Sequence, residues 1–338
     1  MRSKSLSQIL IVLLLLCGVA PGQKQSHSKS VTSKRSSPIF VFHTEEFWLN
    51  LHHFLYVLGR AQNQTPDSSR LAVASAPADQ EQGLAKLKEA QQKIWREAVT
   101  AYAAGPSKKD LVFDDPLPAV TTALAEAGDK PTLEGSAVDE NVVKLLQAAA
   151  PIYRKIWWKS HQRANRAWQQ SIQKLVDLHG AKILAFITKA YQLDWPAGGF
   201  DVHLSGYANW AGAYSTDGNL LVVSSLSSDL KAEYGLETVF HEGMHQWDSQ
   251  IQEALREQAK KLQKRVPRDL SHALIFFTAG EAVRSVVPGH VPYAEKFGVW
   301  GRGLAPLKTA IEEIWKPYLE GQGTRDEALA ELVKRVGR

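Results

Sequence analysis

The hydrophobic pattern of the chain changes from a helical to an extended period at Gly199, and a helical period returns near Ser228. Between these positions apolar and polar residues alternate, and Asp217-Gly218 separates two extended runs. An Asp-Gly pair in this setting is a strong hairpin signal. The sequence therefore predicts a small antiparallel sheet between two helical regions.

Helical periodicity covers most of the remaining chain. Helices are predicted at 45–59, about 80–104, 116–128, 139–180, 181–192, 228–263, 269–287 and 303–319. The 338 residues are enough for one large domain or two modest ones. The predicted fold class is mostly α with a small antiparallel β-sheet (α+β). A helical bundle formed by the N-terminal region at 39–198 is expected to join a second region at 199–338.

Two histidines stand four positions apart in the stretch FHEGMHQWD, and Glu242 follows the first of them. On a helix, His241 and His245 project to the same side, where two neutral imidazoles suit a zinc ion at about 2.0–2.1 Å. Glu242 is turned by about 100° from His241, so its carboxylate can face a water on the ion. This arrangement is typical of a general base that accepts a proton from that water.

Chance is a poor explanation of the motif. With eleven histidines, the pattern would arise at random in roughly a few per cent of chains of this size. Its neighbours Gly243, Met244 and Gln246 are uncharged, whereas a solvated helix face usually carries charge. A structural zinc site often closes its shell with cysteine. The one cysteine, Cys17, lies far from the motif near the start of the chain, so an open, catalytic position is favoured.

The third ligand must come from elsewhere. A metzincin would need Gly and His where Asp248 and Ile251 stand, and Asp248 lies about 10 Å from His241 along a helix axis. Glu281 is the preferred candidate, because it is the only acid in HALIFFTAGEAVRSVV and a buried carboxylate needs a partner. Its alternative partner is Arg284, and Asp248 and His272 are the next candidates for the third position.

The hairpin, the motif and a glutamate on a following helix resemble the gluzincin, thermolysin-like, zinc metallopeptidases over roughly residues 200–295. The resemblance implies a zincin-like catalytic core, with His241, His245 and Glu281 as zinc ligands and Glu242 as general base. The stretch 208–211 also resembles the strand with which that group pairs a substrate peptide.

The chain departs from the family at one position. Many members carry an aspartate four residues after the third ligand, and Ser285 stands there. The N-terminal half has no counterpart in the family. A peptidase of this kind also needs a hydrogen-bond donor for the developing oxyanion. His290 and Tyr293, in VPGHVPYAEKFG, are the two candidates.

The first residues read as a secretory signal peptide. Arg2 and Lys4 precede an apolar run that is too short for a permanent membrane anchor. We expect a signal peptide at 1–22, a disordered tether at 23–38, export to the periplasm or the outside of the cell, and no transmembrane helix in the mature chain. Lipid attachment at Cys17 is the alternative, but Leu16 stands where a small residue is expected.

Composition and charge narrow the function classes. The net charge is +5, and removal of Arg2 and Lys4 with the signal peptide would leave about +3, too mild an excess to indicate nucleic-acid binding. Two hypotheses follow. The chain is an exported zinc peptidase acting on a peptide or protein substrate, or it is a non-catalytic exported helical protein that retains a metal site.

Overall fold

Four short strands form one mixed sheet in the computed structural model, which describes residues 37–64, 75–216 and 220–338. The strands are β1 (Phe40–His43), β2 (Phe200–Ser205), β3 (Ala213–Thr216) and β4 (Leu220–Ser224). Their order in the sheet is β1-β2-β4-β3. β1 and β4 both pair with β2 in parallel, and β3 pairs with β4 antiparallel.

The predicted fold class, mostly α with a small sheet, is confirmed. The sheet is mixed rather than wholly antiparallel, because only β3 and β4 run in opposite directions. β1 joins β2 from a point 160 residues earlier, with Phe40 opposite Phe200, and parallel partners require a long crossover. The predicted signal peptide, Cys17, most of the tether and the Asp217-Gly218 turn lie outside the described residues.

The helices of the N-terminal region are α1 (Phe47–Gln62), α2 (Ala76–Leu84), α3 (Glu89–Ala104), α4 (Leu117–Ala127), α5 (Glu140–Tyr153) and α6 (Lys159–Tyr191). After the sheet come α7 (Glu233–His245), α8 (Asp248–Lys261), α9 (Leu270–Arg284), α10 (Tyr293–Lys296), α11 (Ala305–Ala310), α12 (Lys316–Leu319) and α13 (Arg325–Val336). Wider helical turns occur at Arg154–Trp158, Trp300–Leu304 and Ile311–Trp315. Across the described ranges, none of the helices has the length and apolar character of a membrane span.

Three of the predicted helices have wrong boundaries. The predicted helix at about 80–104 is two helices, α2 and α3, which are separated at residues 85–88. α6 continues through Gly180, so the predicted helix at 181–192 is its C-terminal part. The predicted helix at 228–263 ends at His245, and α8 begins at Asp248. Between them Trp247 has φ −101° and ψ 5°, and its amide donates to Met244 at 2.9 Å. Trp247 is buried, so its packing interrupts the helix and α8 starts anew.

The sheet separates two hydrophobic cores, because alternate residues of a strand point to opposite faces. Val202 and Leu204 of β2 face the core formed by α6, α7 and α9. Tyr214 of β3 and Val222 of β4 face the core formed by α1 and its neighbouring helices. The boundary between the two cores differs from that between the two predicted regions. α6, from the N-terminal region, packs in the core with α7 and α9, and β1 is part of the sheet.

α1 carries two histidines that are fully buried in the second core. His52 Nδ1 is hydrogen-bonded to the Tyr102 hydroxyl at 3.0 Å, and His53 Nε2 to the Tyr214 hydroxyl at 2.7 Å. Burial lowers the pKa of His52 to about 4. Burial, with the neighbouring His52 and His203, holds the pKa of His53 well below its usual value. Both imidazoles are therefore neutral in the folded protein at neutral pH.

A depressed histidine pKa makes stability depend on pH in a defined direction. Below the unfolded pKa of about 6.5 the unfolded chain binds a proton that folded His52 does not, so stability is lost as the pH falls. His52→Gln keeps a polar partner for Tyr102 but cannot titrate. The difference in the free energy of unfolding between wild type and variant should therefore shift by about 2 kcal/mol in favour of the variant when the pH is lowered from 7 to 5. Urea unfolding at both pH values measures this difference. A gap that stays constant would show that His52 ionises freely in the fold.

Candidate metal centre

The histidines of the motif converge on one side of α7. His241 Nε2 and His245 Nε2 lie 3.1 Å apart, as expected for residues one helical turn apart. The helix can pack tightly here because Gly243 lacks a side chain. A Cβ at Gly243 would lie 2.3 Å from the Trp195 ring, which explains why the residue between the histidines is glycine.

The third imidazole comes from α9. One ring nitrogen each of His241, His245 and His272 can be chosen so that all three lie within 4.8 Å of one another. The His272 ring centroid is 5.5 Å from that of His241 and 4.9 Å from that of His245. Among the described residues, this is the group of side chains that could hold a metal ion.

The structure does not bring Glu281 to the histidines. Its carboxylate is hydrogen-bonded to Arg284 at 2.5 Å, which is the alternative partner expected from the sequence. Glu281 follows His272 by nine residues, so it is turned by about 180° and displaced by about 13.5 Å along α9. The third side chain grouped with His241 and His245 is therefore His272 and not Glu281.

All three imidazoles are held in the neutral form that a metal requires. Burial lowers the pKa of His241 and His272 and brings that of His245 to about 3, with the neighbouring imidazoles adding to the effect at His241 and His245. Two ligands of one tetrahedral zinc ion at about 2.05 Å would lie about 3.3 Å apart. The His241–His245 nitrogen distance of 3.1 Å is close to that value, so these two imidazoles fit such an ion. His272 offers a third nitrogen within 4.8 Å of them.

An aromatic ring covers one side of this group. The Phe276 ring centroid lies 4.1 Å from that of His241 and 4.6 Å from that of His272. His241 is buried, whereas His245 and His272 are half-buried, so solvent reaches the group from their side. Asp248 and Asp269 oppose the lowering of the His272 pKa. Asp248 thus lies near His272 but outside the metal-binding group.

Glu242 is buried on another side of α7, against the sheet. Its carboxylate is hydrogen-bonded to the Ser215 side chain of β3. Burial raises the pKa of Glu242 to about 8, and the Ser215 hydrogen bond opposes that rise. The motif glutamate therefore links α7 to β3, the edge strand of the sheet.

β3 offers backbone groups along its outer edge. The Ser224 amide donates to the Gly212 carbonyl at 2.7 Å, so by antiparallel alternation the N–H and C=O groups of Ala213 and Ser215 point away from β4. The stretch 208–211, expected to be the edge strand, is instead a turn. Asn209 Oδ1 accepts hydrogen bonds from the amides of Ala211 and Gly212, each at 3.0 Å.

The two candidate oxyanion donors occupy different environments. His290 Nε2 is hydrogen-bonded to Glu237 at 2.6 Å and its side chain is 2% exposed, so this buried pairing does not support a role as oxyanion donor. Tyr293 is half-buried. Burial raises its pKa to about 12, the carboxylates of Asp229, Glu237 and Glu242 add to the rise, and Arg302 opposes it. Tyr293 therefore keeps its phenolic proton at neutral pH.

Two residues of this region, Ser215 and Glu237, were not predicted from the sequence as site residues. A third, His272, was not the first choice for its position. His272 was ranked below Glu281, although it opens the same apolar helix. Ser215 lies in an alternating strand and gives no local signal. Glu237 precedes His241 by four residues, a spacing that places both on one helix face.

Comparison with family models, curated proteins and solved structures found no match for the chain.

The choice between His272 and Glu281 can be tested by zinc binding. His272→Ala removes a proposed ligand and should weaken zinc affinity by at least about tenfold, as measured by competition with a chromophoric chelator. Glu281→Gln is the matched control, because it breaks the Arg284 pair without touching the three imidazoles. If Glu281→Gln weakens zinc binding and His272→Ala does not, the third position belongs to Glu281.

Proposed function

We propose that this chain is an exported zinc-dependent peptidase that hydrolyses peptide bonds with Glu242 as general base. The observation that supports it best is that Glu242, the residue next to His241, is buried and bonded to Ser215 of the edge strand β3. A purely structural ion has no use for a carboxylate beside its ligands. The resemblance to gluzincin peptidases supports the proposal through His241, Glu242 and His245 alone, because His272 rather than Glu281 is grouped with them.

The proposed substrate is an extended peptide that adds to the outer edge of β3. The outward N–H and C=O groups of Ala213 and Ser215 can pair with a peptide backbone, as in other cases of strand addition. A peptide in that position would pass beside Ser215, to which Glu242 is bonded. Its carbonyl carbon would then lie near the base.

Each group in the site has a defined task in the proposed reaction. A zinc ion held by His241, His245 and His272 would act as a Lewis acid for the attack of water on the peptide carbonyl. Glu242 accepts one proton from the attacking water and returns it to the nitrogen of the leaving amine as the C–N bond breaks. Tyr293 donates a hydrogen bond to the carbonyl oxygen as negative charge develops there.

One observation favours the alternative, a non-catalytic metal-binding protein. The Glu242 pKa of about 8 would leave this carboxyl largely protonated at neutral pH, and a protonated carboxyl cannot act as base. A nearby divalent cation favours the ionised form, since an opposite charge lowers a carboxyl pKa. The two functions are therefore separated by measuring hydrolysis with zinc present.

The decisive comparison is between zinc-loaded wild type and Glu242→Gln. The variant keeps all three imidazoles, so it should hold about one zinc per chain while its hydrolysis of a mixed peptide library falls by roughly 10²–10⁴-fold. Metal content and cleavage products are measured on the same samples by elemental analysis and mass spectrometry.

Glu253→Gln is the matched control, because Glu253 is an exposed acid on the neighbouring α8 and its loss should not change turnover. Wild-type protein that holds zinc and cleaves nothing in the library would instead support the non-catalytic function. Equal rates for wild type and Glu242→Gln would remove Glu242 as the base.

A further inference from the structure

A second carboxylate on α7 is buried but takes no part in the metal group. Glu237 precedes His241 by four residues, one helical turn or about 6 Å along the axis, and its side chain is 2% exposed. Both of its oxygens lie 3.0 Å from the Tyr293 amide, and Oε2 lies 2.6 Å from His290 Nε2. A buried carboxylate with this many hydrogen bonds is a fixed anchor, because losing any one of them would leave a buried polar group unpaired.

The loop bound by Glu237 is also held from the opposite side. It joins α9 to α10 over residues 285–292, and Pro292 lies so close to α9 that a Cβ on Gly280 would be 2.5 Å from it. The same Cβ would be 3.3 Å from Glu237 Oε1. The loop is therefore wedged between α7 and α9, the two helices that carry the three histidines.

This anchoring determines where the Tyr293 ring lies. Tyr293 is the first residue of α10, so fixing its amide fixes the direction in which its side chain leaves the backbone. The ring packs against Phe297 at 4.5 Å and edge-on against Tyr234 at 6.3 Å. Since Tyr234 and Glu237 are both on α7, the Tyr293 ring is held against the N-terminal turns of that helix.

We propose that Glu237 is a positioning residue, which holds Tyr293 against α7 by binding the Tyr293 amide and the His290 imidazole. The proposal rests on the proposed peptidase function, because the phenol matters as the donor to the developing oxyanion. Glu237 itself touches neither the metal group nor the substrate. Its loss should therefore change turnover through Tyr293 alone.

The test is a double-mutant cycle on the zinc-loaded full chain with a library-derived peptide substrate. Tyr293→Phe removes the donor and should lower kcat by roughly 100-fold with little change in KM. Glu237→Gln weakens the anchor and should lower kcat by at least about tenfold, with zinc content unchanged. The double variant should be no slower than Tyr293→Phe, because both changes remove the same interaction.

Glu46→Gln is the matched control for removing a buried carboxylate. Glu46 is 6% exposed and its Oε1 is 2.7 Å from His203 Nδ1, on the α1 side of the sheet. It should keep wild-type kcat. Losses in Glu237→Gln and Tyr293→Phe that multiply in the double variant, or an equal loss in Glu46→Gln, would overturn the proposal.

A second readout does not depend on activity. Amide hydrogen exchange in the peptide covering residues 286–297 should accelerate in Glu237→Gln and not in Glu46→Gln, because the Tyr293 amide loses its acceptor. If wild type cleaves nothing, the proposed function fails. Unchanged exchange in Glu237→Gln would separately refute the anchoring of Tyr293 by Glu237.

A second variant keeps the proposal testable if Glu237→Gln does not fold. Gly280→Ala displaces Pro292 and should reproduce the loss of kcat, and an unchanged kcat would refute the role of the Pro292 contact.

Discussion

The packing of α7 against α9 is the contact on which the candidate site depends. His241 and His245 on α7 supply two imidazoles, and only the crossing of α9 adds His272. The Phe276 ring packs against one imidazole from each helix. Its centroid is 4.1 Å from that of His241 on α7 and 4.6 Å from that of His272 on α9. A dispersion contact of this kind is weak for each atom pair but fixes the separation of the helices in a close-packed core. Residues that no metal touches therefore determine the donor geometry.

Local pattern was sufficient to predict the parts of the fold that depend on nearby residues. The mostly helical α+β class, the position of the sheet and the pairing of His241 with His245 follow from periodicity and from a four-residue spacing. β1 could not be predicted in this way, because four residues carry little pattern and their partner, Phe200, comes 160 residues later. The end of α7 was also missed, since it depends on the packing of Trp247.

The choice between Glu281 and His272 as third candidate ligand shows the same limit of local sequence patterns. The sequence indicates a helix after Pro267 and an acid within it, but it does not indicate which face of that helix meets α7. Glu281 and His272 lie on the same helix about half a turn out of phase. The register is set by tertiary packing, including the contact of Phe276 with His241. Burial had suggested a partner for Glu281, and that partner is Arg284.

The alternation of side chains along β3 has a consequence for how this protein can evolve. Tyr214 is bonded to His53 of α1, and its neighbour Ser215 is bonded to Glu242, so a single strand joins the two cores. A fragment beginning at Gly199 would lose β1 and expose both the apolar face around Val222 and an unpaired edge of β2, a combination that invites aggregation. Recombination that exchanged the C-terminal half alone would therefore separate the sheet from β1 and from the helices that cover one of its faces.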